Sequence, residues 1–62
     1  MKRYSVNAID NWGYGWVVTT TDDGEEAFWV ANEAMEVNPG HHVGIWDHVK
    51  DRPIYRLEEV GK

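Results

Sequence analysis

The chain has no cysteine, so neither a disulfide nor a thiolate zinc site is available to hold it together. Its single serine, Ser5, falls on a strand-like stretch without a recognisable base or oxyanion partner, which leaves nucleophilic catalysis without a nucleophile. Gly13, Gly15, Gly40 and Gly44 have no phosphate-binding spacing. No apolar run approaches the roughly 20 residues of a membrane span, and the start MKRYSVNAID lacks the apolar core of a signal peptide. Lysine and arginine are scarce between residues 4 and 49, where none occurs. These absences make a non-enzyme without cofactor or metal, soluble and cytoplasmic, the expectation.

What is present is a short chain of 62 residues with four Trp, three Tyr and one Phe. A domain of this size buries only about 60% of its unfolded surface, so one small core and one domain spanning the whole chain are expected, with the aromatics supplying much of the burial. Eleven acids against six Lys plus Arg give a formal charge of −5, which opposes attraction to a nucleic-acid backbone. Neither nucleic acid nor membrane is an expected partner. The bases lie towards the two ends, whereas Asp22, Asp23, Glu25, Glu26, Glu33 and Glu36 crowd one central stretch.

Residues 3–9 alternate with a period of two, Tyr4, Val6 and Ala8 on one side and Ser5, Asn7 and Ile9 on the other, as in a half-buried strand. A turn over residues 10–13 then leads into a return strand over residues 14–20. Within NWGYGW, Trp12, Tyr14 and Trp16 share one side of an extended chain. They read either as core-filling rings or as a flat stacking platform for a sugar or base.

Residues 21–37 are read as the one long helix. Asp22 with Glu25, or Asp23 with Glu26, has the capping-box spacing, and acids suit the positive end of the helix dipole. At 100° per residue Ala27, Val30, Ala31, Ala34 and Met35 form one stripe, with Phe28 at its edge, that should face the sheet. Trp29 falls about opposite that stripe, beside Glu25, Asn32, Glu33 and Glu36. It is either a ring lying on its own helix or an interface anchor, tryptophan being enriched among binding hot spots. Trp29, Glu25, Glu33, Glu36, Asp22 and Asp23 are therefore the candidate partner-binding residues, and a basic protein surface is the partner they would suit.

Asn38-Pro39-Gly40 should end the helix. Residues 42–50 alternate again, with Val43, Ile45 and Val49 towards the helix and His42, Gly44, Trp46 and His48 away from it. Asp51-Arg52-Pro53 reads as a turn, and residues 54–60 as a strand or a short helix, the strand being preferred. The fold expected is α+β, ββαβ(β), a small antiparallel sheet of order 2-1-3 with one helix on one face, and with a fourth edge strand outside strand three if residues 54–60 form one. His42 and His48 are too far apart along a strand to share a metal ion.

The pieces KRYSVNAI, WVVTTTDDGEEAFWVANEA and NPGHHVGIWDHV, covering most of residues 2–49, resemble in order the small podophage-encoded inhibitors of bacterial RNA polymerase. That resemblance implies a host-takeover protein that binds and inhibits a nucleic-acid-processing enzyme. The family's last strand carries arginines used against the polymerase, where this chain has Trp46, Asp47 and His48. The same layout is compatible with other targets, such as a CRISPR effector or a DNA-repair enzyme. The helix start also resembles antitoxin domains whose hairpin leads into a Thr-x-Glu-Glu-Ala helix. The remaining alternatives are an aromatic ligand-binding module and a structural protein, monomeric or weakly homodimeric, that meets its own copy through Trp46 or strand two.

Overall fold

The computed structural model describes residues 1–60. Four strands, β1 (Tyr4–Ile9), β2 (Gly15–Thr21), β3 (His42–Asp47) and β4 (Arg52–Ile54), form one sheet of order β2-β1-β3-β4. All neighbours are antiparallel. One helix, α1 (Gly24–Val37), crosses a single face, and a short 3-10 helix, η1 (Leu57–Glu59), follows β4. This is the α+β arrangement expected, with the fourth strand outside β3.

The core is small: Tyr4, Val6, Ala27, Ala31, Ile45 and Ile54 are buried together, with Phe28, Val30 and Val43 packed at its margin. Ala27 and Ala31 have no bulk beyond Cβ, so the helix backbone can lie close to β1 and β3. Met35, expected in the same stripe, is 42% exposed.

The helix begins three residues later than residues 21–37 suggest. Thr21 pairs with Tyr4 as the last residue of β2, and the Asp22 carboxylate accepts the Arg3 N–H at 2.8 Å. Of the two possible caps the structure uses Asp23, whose Oδ1 accepts the N–H groups of Glu25 and Glu26 at 3.0 and 3.4 Å. The helix closes at Asn38, whose N–H donates to the Ala34 carbonyl.

The alternation over residues 42–50 holds for Val43 and Ile45 but not for Val49. β3 stops at Asp47, and Val49 is exposed in the turn that follows. Asp47 takes the inward position instead, 1% exposed. Its Oδ1 accepts the N–H groups of Val49 and Lys50 at 2.9 and 3.3 Å, which folds the chain back before Asp51, a non-glycine residue at φ 56°. The turn thus precedes Arg52 and Pro53, which are strand residues paired with Asp47 and Trp46. The Arg3 guanidinium closes the site with two bonds, Nε to Oδ1 at 3.2 Å and Nη2 to Oδ2 at 3.0 Å. This fork fixes the start of β1 to the end of β3.

The preferred strand over residues 54–60 is also corrected, since only Ile54 is extended in the sheet. Glu59 explains the departure: its carboxylate accepts the N–H groups of Tyr55 and Arg56 and meets Arg52 at 3.3 Å, which curls the segment into η1.

Candidate functional site

The helix period that buries Gly24, Ala27 and Ala31 turns Trp29 outward. It is 66% exposed. Its indole borders a groove of about 250 Å³ between α1 and β2, whose other wall is Trp16 and Val18, whose end is Val37, and whose floor includes Val30, Ala34 and His41. The charged residue on this groove is Glu33.

Trp16 reaches the groove because it pairs with Ala8, and cross-strand partners share a face. A register shift between Val6 and Asn7 opposite β2 inserts an extra residue after Val17. Val18, two residues beyond Trp16, lies in the same wall by strand alternation, and the bulge shifts that alternation only from Thr19 onward, which pairs with Val6. His41 stands edge-on to Trp16, ring centroids 5.2 Å apart at 84°. Its Nδ1 is buried with no hydrogen-bond partner among the described residues. Val18, Val37 and His41 were not legible as site residues, since they meet only where the end of α1 and the turn after it pack against β2, a contact between residues distant in the chain.

The three aromatic rings of NWGYGW do not lie along one extended segment. Trp12 and Gly13 belong to the turn, where Gly13 adopts φ 86°, and the Asp10 carboxylate accepts the N–H groups of Trp12 and Tyr14 at 2.9 Å each. Trp12 and Tyr14 are 81% and 73% exposed, while Trp16 turns in beside His41.

Glu25, Glu26, Glu33 and Glu36 are exposed, and among the described residues none of them makes an ion pair. The bases that do pair sit elsewhere, Arg3 on Asp47 and Arg52 on Glu59. Asp22 differs from the other helix acids, since Lys2 approaches it at 3.9 Å. Asp22 and Asp23 both serve the fold as well, through the bonds to Arg3 and to the helix start. The structure therefore divides the six acids into two that organise the helix entrance and four that face solvent around Trp29.

Chemistry is sparse by comparison. Ser5 does have a base after all, His48 Nε2 lying 3.0 Å from its Oγ. Yet Ser5 is 5% exposed between Thr20 and Trp46 in register, and Asn7 Nδ2 also reaches its Oγ at 3.1 Å. A nucleophile covered in this way cannot meet a substrate. Among the described residues no three His, Asp or Glu side chains gather as a metal set, and no helix is long and apolar enough to cross a membrane. A second groove of about 530 Å³ opens where β4 stops short of covering β3, bordered by Phe28, Met35, Trp46, Ile54 and Tyr55, with His42 also in its lining and no carboxylate, lysine or arginine among the described residues that line it.

No family model, curated protein or solved structure matches the chain. The functional reading rests on the surface itself.

Proposed function

We propose that this protein is a small non-catalytic inhibitor that docks the acidic face of α1, anchored by Trp29, on a basic surface of a host nucleic-acid-processing enzyme. Bacterial RNA polymerase is the most concrete target, by the order of elements shared with the podophage inhibitors. A CRISPR effector or a repair enzyme would meet the same charge pattern. One observation carries the reading: a tryptophan 66% exposed stands on a helix whose glutamates Glu25, Glu26, Glu33 and Glu36 have no cationic partner among the described residues. Burying that ring in a partner supplies hydrophobic energy, and the unpaired carboxylates supply steering towards lysine and arginine.

Binding to immobilised RNA polymerase core enzyme is expected to weaken steeply as salt is raised, because exposed charges are screened within about 8 Å at physiological ionic strength. Trp29→Ala should weaken it at least about tenfold. The charge-reversed pair Glu33→Lys/Glu36→Lys should slow association more than it speeds dissociation. Binding that ignores salt and both variants would place the contact elsewhere on the molecule. If the polymerase is not bound, a lysate pull-down with the same three proteins identifies the target, and equal recovery by all three would remove the helix face from consideration.

A further inference from the structure

β2 lies at the open edge of the sheet, next to the groove that Trp29 shares with Trp16 and Val18. In an antiparallel sheet each strand residue directs its N–H and C=O to one side only. The Asp10 N–H donates to the Tyr14 carbonyl at 2.9 Å, which turns Tyr14 towards β1. Alternation then turns Gly15 outward, Trp16 inward to its partner Ala8, and Val17 outward. Natural edge strands are blunted with lysine, proline or inward charges. β2, GWVVTTT, has none of these. Its one protective feature is the bulge after Val17, which ends regular pairing there, as the turn does before Tyr14.

Between those limits, residues 15–17 are self-complementary. Gly15 and Val17, the two outward residues, lie symmetrically about Trp16. A twofold axis at Trp16 pairs Gly15 of one copy with Val17 of the other, and the reverse, so that every outward N–H and C=O in the segment gains a partner. The same axis sets Trp16 against Trp16 and Tyr14 against Val18, covering side chains now 42%, 73% and 36% exposed. No carboxylate or base lies within the segment, so nothing there selects a charged peptide over a second copy.

We propose that this edge pairs with the same edge of a second copy, joining the two sheets into one. Tyr14, Trp16 and Val18 supply on the order of 300 Å² per copy, against the roughly 800 Å² per partner of a stable complex. The dimer is therefore weak and concentration-dependent. Because each copy carries −5, it strengthens as salt is raised. Binding through the acidic helix face does the opposite, so the two surfaces can fail independently.

Sedimentation equilibrium from about 10 µM to about 1 mM, at low and high salt, is the test. The expected mass rises from 7.2 kDa towards twice that value, further at high salt. Amide exchange at Gly15 and Val17 should slow at least about fivefold at the upper concentration. Val17→Pro removes only an outward-facing donor and should stay monomeric while keeping the wild-type circular dichroism. Should that variant unfold, Val17→Lys decides by the same readout, since Val17 is 58% exposed and tolerates the longer side chain. A mass fixed at 7.2 kDa at both salts overturns the proposal. So does a folded Val17 variant that dimerises like the wild type, or slowed exchange confined to other strands.

Discussion

Asp47→Ala is expected to destabilise the fold by about 2–4 kcal/mol, read as a fall in the urea midpoint at unchanged slope. The carboxylate is 1% exposed and is held by two bonds from Arg3 and by the N–H groups of Val49 and Lys50. Alanine leaves those donors without their acceptor and frees the end of β3 from the start of β1. Arg3 keeps 23% of its side chain exposed, so part of its charge returns to water, which holds the cost below that of stranding a fully buried charge. For a chain of 62 residues total stability is on the order of 3–9 kcal/mol, so this one side chain controls a large share of it.

The same site fixes the response to acid. The Arg3 hydrogen bonds first, and then the N–H groups of Lys50 and Val49, hold the Asp47 carboxyl below the ordinary carboxylate range. Glu59 is held low as well, by the N–H groups of Tyr55 and Arg56. A group whose pKa is depressed by folding contributes stability that is present above its unfolded value, about 3.9 for aspartate. That contribution is lost as pH falls through the lower folded value. The wild-type urea midpoint should therefore drop as pH is taken from about 4 downward. In Asp47→Asn the drop should be visibly shallower, since the contribution of Asp47 is gone while that of Glu59 remains. Parallel pH profiles for the two proteins would show that Asp47 is not the acid-sensitive group.

Gly24→Ala is expected to cost about 1–3 kcal/mol, against the sign that helix propensity alone would give. Gly24 is buried at the first position of α1. A Cβ there collides with Cγ1 of Val60 and comes within 2.7 Å of Cγ2 and 3.0 Å of Cβ. Rotating Val60 does not relieve the last contact, so either the helix start or the segment following η1 must move. Hydrogen exchange at the Val60 amide, which donates to Leu57 at 3.1 Å, should quicken in the variant. Pairing the change with Val60→Ala should recover much of the loss, giving a coupling energy of opposite sign to the single effect. A Gly24→Ala protein that melts higher with that amide still protected would mean the C-terminal segment is not packed on the helix.

The hairpin and the central helix were legible because each rests on local pattern, whereas the fourth strand lies outside β3 as expected but on Arg52–Ile54, residues that read mostly as a turn. Tyr4, Val6 and Ala8 alternate, Ala27 and Ala31 recur at helical spacing, and Pro39-Gly40 interrupts. Asp47 was not legible. An acid at a strand position is ordinarily read as outward, and Val49 looked the better core residue until the chain turned at Asp47 on bonds to Val49 and Lys50. Arg3, which makes burial of that acid tolerable, is 44 residues away in sequence. Glu59 likewise converts an apparent strand into η1 through bonds to Tyr55 and Arg56.

For the candidate site the division is similar. Trp29 follows from the 100° period alone, as does its company of Glu25, Glu33 and Glu36. The groove that Trp29 shares with Trp16, Val18 and His41 does not, because the packing of an alanine-faced helix close to β2 brings those residues together. What the sequence by itself determined was which side chains seek water and which avoid it along each element, since periodicity is a property of neighbours a few residues apart. Which acid is buried, which strand edge stays open and what stands across from Trp29 were decided only by the tertiary structure. Those outcomes depend on pairing between residues distant in the chain, and no local pattern encodes them.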